Sequence, residues 1–178
     1  MNQDALLNWF RGNQRSLPWR IKPSPWSILL SEILLQQTQM ERGVEYHNRL
    51  YERFPTPSSM AQSEVDEVLF LWQGAGYYSR ARRLHALSQI VVADYGGVLP
   101  STYDELLALP GIGPYTAAAV ASIAFSHPVA CVDGNVRRVM ARQTNNESPS
   151  SRNVQEYANR ILVSEHPGDW NQAMMELG

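Results

Sequence analysis

Apolar residues recur at the three- and four-residue spacing of amphipathic helices along nearly the whole chain, and no long run alternates as a half-buried strand does. Turn-forming residues separate the apolar segments, for example Gly74-Ala75-Gly76 and Gly96-Gly97. The pattern therefore predicts an all-α protein without internal repeats. Helices are predicted over residues 4–12, 25–38, 40–54, 64–73, 77–95, 102–109, 114–126, 134–143, 152–165 and 168–178.

Length and composition narrow the class of protein. A chain of 178 residues with 44% hydrophobic residues is long enough to bury a core, as one large domain or as two lobes. We expect a soluble, cytoplasmic protein with no membrane partner, because the sequence has neither an apolar run of about 18 residues nor a signal-peptide pattern. Cys131 is the only cysteine, which excludes an intrachain disulfide and a metal site built from cysteines of this chain.

The charged residues are unevenly distributed. A net charge of -2 argues against a generally cationic DNA-binding protein, because lysine and arginine supply the affinity for phosphate. Arginines nevertheless cluster in residues 77–83, which include Arg80 and Arg82, and in residues 135–142. Each cluster is either a local basic patch that contacts phosphates or an ordinary solvated helix face.

The segment Leu109-Pro110-Gly111-Ile112-Gly113-Pro114-Tyr115-Thr116 predicts two helices joined by a four-residue turn. Gly111 and Gly113 stand where the turn is expected to need unusual backbone angles, and Pro114 suits the first position of the second helix. Such a turn exposes N–H groups that bind an anionic oxygen, for example of a DNA phosphate. The alternative is a plain tight helical hairpin.

A single carboxylate lies in the very apolar segment 25–38. On a helix, Ile28 and Leu35 lie about one turn before and after Glu32, which predicts partial burial. Burial raises the pKa of a carboxyl group, and a carboxyl that is neutral near pH 7 can act as a general acid. The alternative is a glutamate that reaches solvent beside an apolar stripe.

Several motifs resemble one family in both order and spacing. The hairpin is followed about 20 residues later by Val132-Asp133-Gly134-Asn135-Val136, which resembles the helix-hairpin-helix DNA glycosylases. Further segments resemble the MutY-type adenine DNA glycosylases, and the resemblance runs from about residue 5 to the last residue. These segments are Leu17-Pro18-Trp19-Arg20, Ser31-Glu32-Ile33-Leu34-Leu35-Gln36-Gln37-Thr38-Gln39, Leu71-Trp72-Gln73-Gly74-Ala75-Gly76-Tyr77-Tyr78 and Asn171-Gln172-Ala173-Met174-Met175-Glu176-Leu177-Gly178.

The resemblance implies a helix-hairpin-helix DNA glycosylase fold with two helical lobes and the active site between them. A six-helix lobe with the hairpin is expected over about residues 25–130, and residues 1–24 with 131–178 are expected to form a second, incomplete lobe. Longer family members continue into a four-cysteine segment that holds a [4Fe-4S] cluster, and then into a domain that recognises 8-oxoguanine. We expect neither in this chain, and no cofactor, so that the chain is either a fragment or a natural short form.

The resemblance also implies an activity, the removal of adenine paired with 8-oxoguanine or guanine in double-stranded DNA. Glu32 matches the acid that protonates adenine N7. Asp133 matches the carboxylate that faces the sugar, although it equally suits a helix N-cap. A carboxylate there stabilises the oxocarbenium-like sugar. Other matches that line the site are Asn135 and Tyr115, with Trp19 and Arg20 beside the extruded adenine.

Further matches concern contact with DNA, since a base inside a duplex has to be extruded before it reacts. Gln37 and Tyr77 match residues that wedge into the duplex at the lesion, and a packed core aromatic is the alternative for Tyr77. We expect a monomer in a bacterial cytoplasm, associated with the nucleoid. The remaining expected contacts with DNA come from Arg80, Arg82, Gly111, Gly113 and Thr116.

The number of lysines limits the ways in which the protein could cleave a DNA strand, because that reaction needs an amine nucleophile. Bifunctional relatives that resemble endonuclease III carry a Schiff-base lysine where this chain has Tyr115, and Lys22 is the only lysine. The resemblance therefore predicts base excision without strong lyase activity. One alternative is a thymine glycosylase for G·T mismatches, although Gln36, Gln37 and Glu32 favour adenine. The other is a catalytically impaired DNA-binding fragment, which has no need of Glu32.

Overall fold

The computed structural model describes residues 1–178 and contains only helices and their connections. The predicted all-α class is confirmed. None of the helices combines the length and the hydropathy that crossing a bilayer requires. The helices are α1 (Gln3–Asn13), α2 (Pro18–Ile21), α3 (Pro25–Leu34), α4 (Met40–Arg53), α5 (Pro57–Ala61), α6 (Val65–Trp72), α7 (Tyr78–Tyr95), α8 (Tyr103–Ala108), α9 (Pro114–Phe125), α10 (Gly134–Thr144), α11 (Ser151–Ile161) and α12 (Pro167–Leu177).

The apolar pattern does not predict the two short helices α2 and α5. They contain four and five residues, which are too few for an apolar repeat to show. Local sequence starts both of them, because each begins with a proline. Thr56 and Ser59 also form a capping box at the start of α5.

Helix α3 ends at Leu34, four residues before the predicted end. The guanidinium of Arg80 donates hydrogen bonds of 2.9 Å to the carbonyls of Ile33 and Leu34. In a longer helix these carbonyls would accept the N–H groups of residues 37 and 38. Gln37 instead has a φ of 62°, in the left-handed region that a right-handed helix excludes. A partner 46 residues later in the chain thus ends the helix, and the local apolar pattern contains no sign of it.

The larger hydrophobic core lies among α3 to α9. Helix α3 packs against α4 and α9, α7 packs against α5 and α6, and α8 packs against α9. Because α9 is rich in alanine, α3 and α12 both approach its backbone. Side chains with no exposed surface fill the centre, among them Leu29, Leu30, Leu34, Trp72, Leu84 and Val120.

A second, smaller core lies among α1, α10, α11 and α12. Its residues come from both ends of the chain, and α1 packs against α12. Phe10, Val154 and Trp170 are among its most deeply buried side chains. Seven helices lie between residues 25 and 130, one more than expected, because the sequence pattern does not include α5. The expected lobe boundaries themselves stay a prediction.

Asn171 of α12 connects helix α9 to the segment that leads to α10. Its side chain is buried, and Nδ2 donates to Ser122 Oγ and to the carbonyl of Val129, both at 2.9 Å. Its Oδ1 accepts the backbone N–H of Cys131 at 3.1 Å. One side-chain amide therefore uses both its donors and its acceptor to fix the backbone just before residue 133.

Asn171→Ala is expected to lower the free energy of unfolding by about 2–4 kcal/mol, because the buried N–H of Cys131 and the carbonyl of Val129 lose their partner. Chemical denaturation followed by circular dichroism measures the change. The matched control is Asn159→Ala on the exposed face of α11, for which we expect a change below about 0.5 kcal/mol. Equal effects of the two substitutions would contradict this account of Asn171.

Candidate active site

A pocket of about 300 Å³ opens between the helices of the two cores. Residues of the N-terminal segment and of α3, α9, α10 and α12 line it. Leu17, Ile28, Leu35 and Met175 contribute apolar walls. The pocket brings together all the residues predicted for catalysis and for the adenine site, namely Glu32, Asp133, Asn135, Tyr115, Trp19 and Arg20.

Glu32 enters the pocket from α3. Ser24 caps this helix by accepting the N–H of Ser27 at 3.0 Å, and Pro25 occupies its first position. Glu32 is half-buried, and almost every other side chain of α3 is buried, so apolar neighbours limit the access of water to its carboxyl group. This burial raises the pKa of Glu32 from 4.5 to about 7. Its protonated and ionised forms therefore coexist near neutral pH.

Three neighbours modify the pKa of Glu32 without cancelling the effect of burial. A hydrogen bond from the Tyr115 hydroxyl lowers it, the negative charge of Asp133 raises it, and the positive charge of Arg20 lowers it. The Tyr115 hydroxyl also lies 3.6 Å from Met175 Sδ, but a carboxylate is the stronger acceptor for its one proton. Burial raises the pKa of Tyr115 far above its ordinary value, so this hydroxyl stays a donor.

Asp133 has both carboxylate oxygens engaged at the start of α10. Its Oδ1 accepts the N–H of Val136 at 2.9 Å, and its Oδ2 accepts Asn135 Nδ2 at 2.7 Å. Asp133 is thus the helix N-cap that the Asp-Gly sequence suggests, and it also faces the pocket. The two hydrogen bonds fix the direction in which the carboxylate points, while each oxygen keeps a further lone pair.

Arg20 is held by partners that the sequence does not identify. It donates to Glu176 Oε1 at 2.7 Å and to Gln172 Oε1 at 2.8 Å. Arg15 pairs with Oε2 of the same Glu176 at 2.9 Å. Burial alone would raise the pKa of Glu176, but the hydrogen bonds from Arg15 and Arg20 outweigh it, and the pKa lies below its ordinary value.

The sequence contains only a weak signal for these partners. Gln172 and Glu176 are four residues apart on α12, so they share one helix face. Arg20 lies on α2, more than 150 residues before both of them, and the packing of the preceding α1 against α12 brings this part of the chain close to α12. Trp19 is likewise fixed by a residue outside the motifs, since its ring packs against buried His47 with 4.9 Å between ring centroids.

The residues predicted to wedge into DNA lie in neighbouring loops. Gln37 and Tyr77 are exposed, and both have a positive φ, 62° and 47°. Arg82 is exposed on α7. Arg80 departs from the predicted basic patch, because its side chain is 8% exposed and its guanidinium donates to backbone carbonyls. The expected phosphate contact of Arg80 is therefore corrected to contacts within the protein.

The hairpin between α8 and α9 has one glycine in a special conformation rather than two. Gly111 has a φ of 81°, and a Cβ there would come within 3.0 Å of Arg83 Cδ. Gly113 has a φ of -94° and a ψ of 172°, extended backbone that any residue adopts, so the expectation for it was wrong. The N–H groups of Gly111 and Gly113 donate to no acceptor within the chain, as an anion site requires.

Thr116 is less accessible than a DNA contact requires. Its side chain is 2% exposed, and Oγ1 accepts Gln36 Nε2 at 3.3 Å. The expected direct contact with DNA is therefore corrected: Thr116 holds Gln36, which lines the pocket. The cause is burial within α9, in which most side chains from residue 116 to residue 122 are buried.

Cys131 does not suit an iron–sulfur cluster. It is buried beside Ser122, and burial raises the pKa of its thiol, which disfavours the thiolate that iron requires. A [4Fe-4S] cluster takes four such ligands, and no group of three potential ligand side chains is arranged around a metal position. The residues of this chain therefore do not fit the cluster, and its presence in longer relatives stays a prediction.

Comparison with known proteins identifies the family. The HhH-GPD superfamily of base excision DNA repair proteins matches residues 30–163. The chain belongs to this superfamily. Among solved structures, a thermostable thymine-DNA glycosylase is similar with a TM-score of 0.88 and 28% identity, over 97% of this chain and 82% of that one. An endonuclease III–DNA complex is similar with a TM-score of 0.83 and 26% identity, over 99% and 82%. The expected helix-hairpin-helix glycosylase fold is confirmed.

Curated relatives are adenine DNA glycosylases. The human protein is 40% identical over 98% of this chain and 34% of its own length. The protein of Mycolicibacterium smegmatis is 41% identical over 97% of this chain and 60% of its own length. The rat protein is 40% identical over 97% of this chain. The chain spans about a third of the length of the rat and human relatives.

The raised pKa of Glu32 predicts a stability penalty at high pH. Between its ordinary value of 4.5 and about 7, the folded protein binds the proton that the unfolded chain releases, so stability falls as the pH rises. Glu32→Gln removes the penalty. We expect the variant to be more stable than the original by about 2–3 kcal/mol at pH 8, and by less than about 1 kcal/mol at pH 5.

Chemical denaturation at the two pH values measures the difference. Glu147→Gln is the matched control, because Glu147 is exposed in the loop between α10 and α11, and the substitution changes the same charge. A stability gain from Glu32→Gln that is equal at pH 5 and pH 8 would show that the ionised form of Glu32 is not penalised.

Proposed function

We propose that this protein is an adenine DNA glycosylase, which hydrolyses the N-glycosidic bond of adenine paired with 8-oxoguanine or guanine in double-stranded DNA. The observation that carries the proposal is Glu32, a carboxyl group with a pKa of about 7 that shares a pocket with Asp133. The HhH-GPD family and the names of the curated relatives support the same reaction.

The first step in this proposal is protonation of the base. Neutral adenine is a poor leaving group, and protonation at N7 allows it to take the electron pair of the C1′–N9 bond when that bond breaks. A general acid works best when its pKa lies near the working pH, because the protonated form is then well populated and is still a strong enough acid to donate its proton. Glu32 meets this condition, and the Tyr115 hydroxyl is placed to hydrogen-bond the carboxylate that remains.

Asp133 is proposed to act on the sugar. Departure of the base leaves positive charge on C1′ and the ring oxygen, which a nearby carboxylate stabilises or captures until water adds to C1′. The hydrogen bonds from Val136 and Asn135 keep the carboxylate aimed and avoid reorganisation during the reaction. Capping of α10 by Asp133 is therefore compatible with the proposed catalytic role, and it holds the carboxylate in position for that role.

The pocket suits a flat, partly polar base. Its volume of about 300 Å³ lies at the lower end of the range for small-molecule sites. Trp19, Ile28 and Leu35 offer apolar surface for the faces of the ring, and Arg20 and Gln172 offer polar groups for its edge.

We propose that Gln37 and Tyr77 fill the gap left in the duplex, and that Arg82 and the amides of Gly111 and Gly113 contact phosphates. The proposed form is a monomer acting on nucleoid DNA.

Single-turnover excision of adenine opposite 8-oxoguanine tests the proposal. We expect Glu32→Gln and Asp133→Asn each to slow excision by about a hundredfold or more, because a general acid and an electrostatic stabiliser contribute at least that much. The rate of the original protein is expected to fall as the pH rises above about 7 and Glu32 ionises. Glu147→Gln is the control that should leave the rate unchanged.

Rates close to the original in both variants would refute the mechanism. Substrates with thymine opposite guanine test the rival reaction, which the similarity to a thymine-DNA glycosylase structure suggests. Faster removal of thymine than of adenine would replace the proposed substrate while keeping the fold and the pocket.

We also propose that the protein does not cleave the strand through an imine. Lys22 is exposed and does not line the pocket, and Tyr115, which cannot form an imine, stands there instead. Borohydride reduces an imine to a stable covalent complex. We therefore expect the original protein to give no more borohydride-trapped complex with DNA than the Lys22→Ala variant gives. Abundant β-elimination product that persists in Lys22→Ala would contradict this proposal.

A further inference from the structure

Arg80 makes an unusual set of contacts for an arginine on an amphipathic helix. Its Nη1 donates to the carbonyls of Ile33 and Leu34 at the end of α3 and of Gln36 in the loop that follows. Its Nη2 donates to the carbonyls of Ala75 and Gly76 in the loop before α7, at 3.2 and 3.4 Å. No other side chain donates hydrogen bonds to both segments.

The two segments joined by Arg80 carry the two exposed residues with left-handed backbone at this end of the molecule. Gln37 follows the carbonyls of residues 33–36, and Tyr77 follows those of residues 75 and 76. Left-handed backbone is strained for residues other than glycine, and it persists only where the surroundings impose it. The guanidinium of Arg80 also lies 5.5 Å from the centroid of the Tyr77 ring, beneath the side chain it would orient.

We propose that Arg80 is a positioning residue that fixes Gln37 and Tyr77 relative to each other, so that both enter the duplex together when a base is extruded. The inference rests on the proposed function, because extrusion is a step of base excision. It replaces the phosphate contact expected for Arg80 from the sequence with a role inside the protein.

The chemistry of the site requires arginine. The guanidinium has no carboxylate partner among the ion pairs of the chain. Its charge is met instead by carbonyl dipoles, including those at the C-terminus of α3, where a helix favours a cation. A planar fork reaches carbonyls on two sides at once, whereas the ammonium of lysine is a compact group on a flexible stem. Its ring contact with Trp72, at 5.3 Å, holds the fork in place.

Hydrogen exchange of the free protein tests the link without any reaction. In Arg80→Lys we expect the amides of residues 35–39 and 74–78 to exchange about tenfold faster or more, with the cores unchanged. Thr38→Val, which removes a side-chain acceptor of Arg80 at 3.3 Å with little change of shape, should give a smaller increase in both segments. The control is Arg53→Lys, because Arg53 also lies over an aromatic ring but is exposed at the surface.

Extrusion of the base is then measured with 2-aminopurine at the target position of a duplex. The fluorescence of 2-aminopurine rises when this base analogue leaves the base stack. Arg80→Lys is expected to slow this rise, and excision of adenine from the duplex, by about tenfold to a hundredfold. Excision of adenine from a one-nucleotide bulge, which has no opposing base, should change by less than about threefold. The pH profile should be unchanged, because Glu32 is not touched.

An equal loss on duplex and bulge, or a shifted pH profile, would assign Arg80 to the chemistry and overturn the proposal. Unchanged exchange of both segments in Arg80→Lys and Thr38→Val would overturn it as well. The exchange and fluorescence measurements need no bond cleavage, so a failure of the proposed glycosylase activity is distinguishable from a failure of the role of Arg80.

Discussion

The chemistry of the pocket depends on limiting the contact of one carboxyl group, that of Glu32, with water. Burial of an ionised carboxylate costs free energy, and the group responds by holding its proton to a higher pH. The apolar residues of α3 provide this burial, and the packing of α3 against α9 encloses it. Stability and reactivity therefore oppose each other at this residue. The folded protein is less stable at high pH because of the same environment that raises the pKa of Glu32 to about 7.

The charges around Glu32 have to be balanced for this environment to work. Arg20 lies close enough to lower the pKa of Glu32, and an unpaired guanidinium there would favour the ionised form. Glu176 compensates it, because its carboxylate accepts from Arg20 and from Arg15. Arg20 thus faces the pocket while its charge is largely neutralised within the protein.

Sequence predicts the parts of this structure that local pattern determines. The apolar periodicity locates ten of the helices, and the neighbours of Glu32 indicate its burial before any contact is known. Prediction from sequence fails where a residue far away in the chain determines the end of a helix or the position of a side chain. Arg80 ends α3 from 46 residues away, Asn171 fixes the backbone before Asp133, and Glu176 holds Arg20. An exposed arginine in a basic patch and an arginine buried among backbone carbonyls cannot be distinguished in the sequence, because composition does not show which face of a helix packs against the rest of the protein.

Arg80 also helps to determine where the loops with left-handed backbone lie. A carboxyl group on α3 has to face the pocket, whereas Gln37 only five positions later has to face outward. A helix that continued to residue 38 would keep its carbonyls bonded to its own amides, and Gln37 would lose the left-handed backbone that it has in the loop. By taking those carbonyls, Arg80 stops the helix after the turn that holds Glu32 and frees the next residues to turn away. The boundary between the buried acid and the exposed loop is therefore set by one side chain of α7.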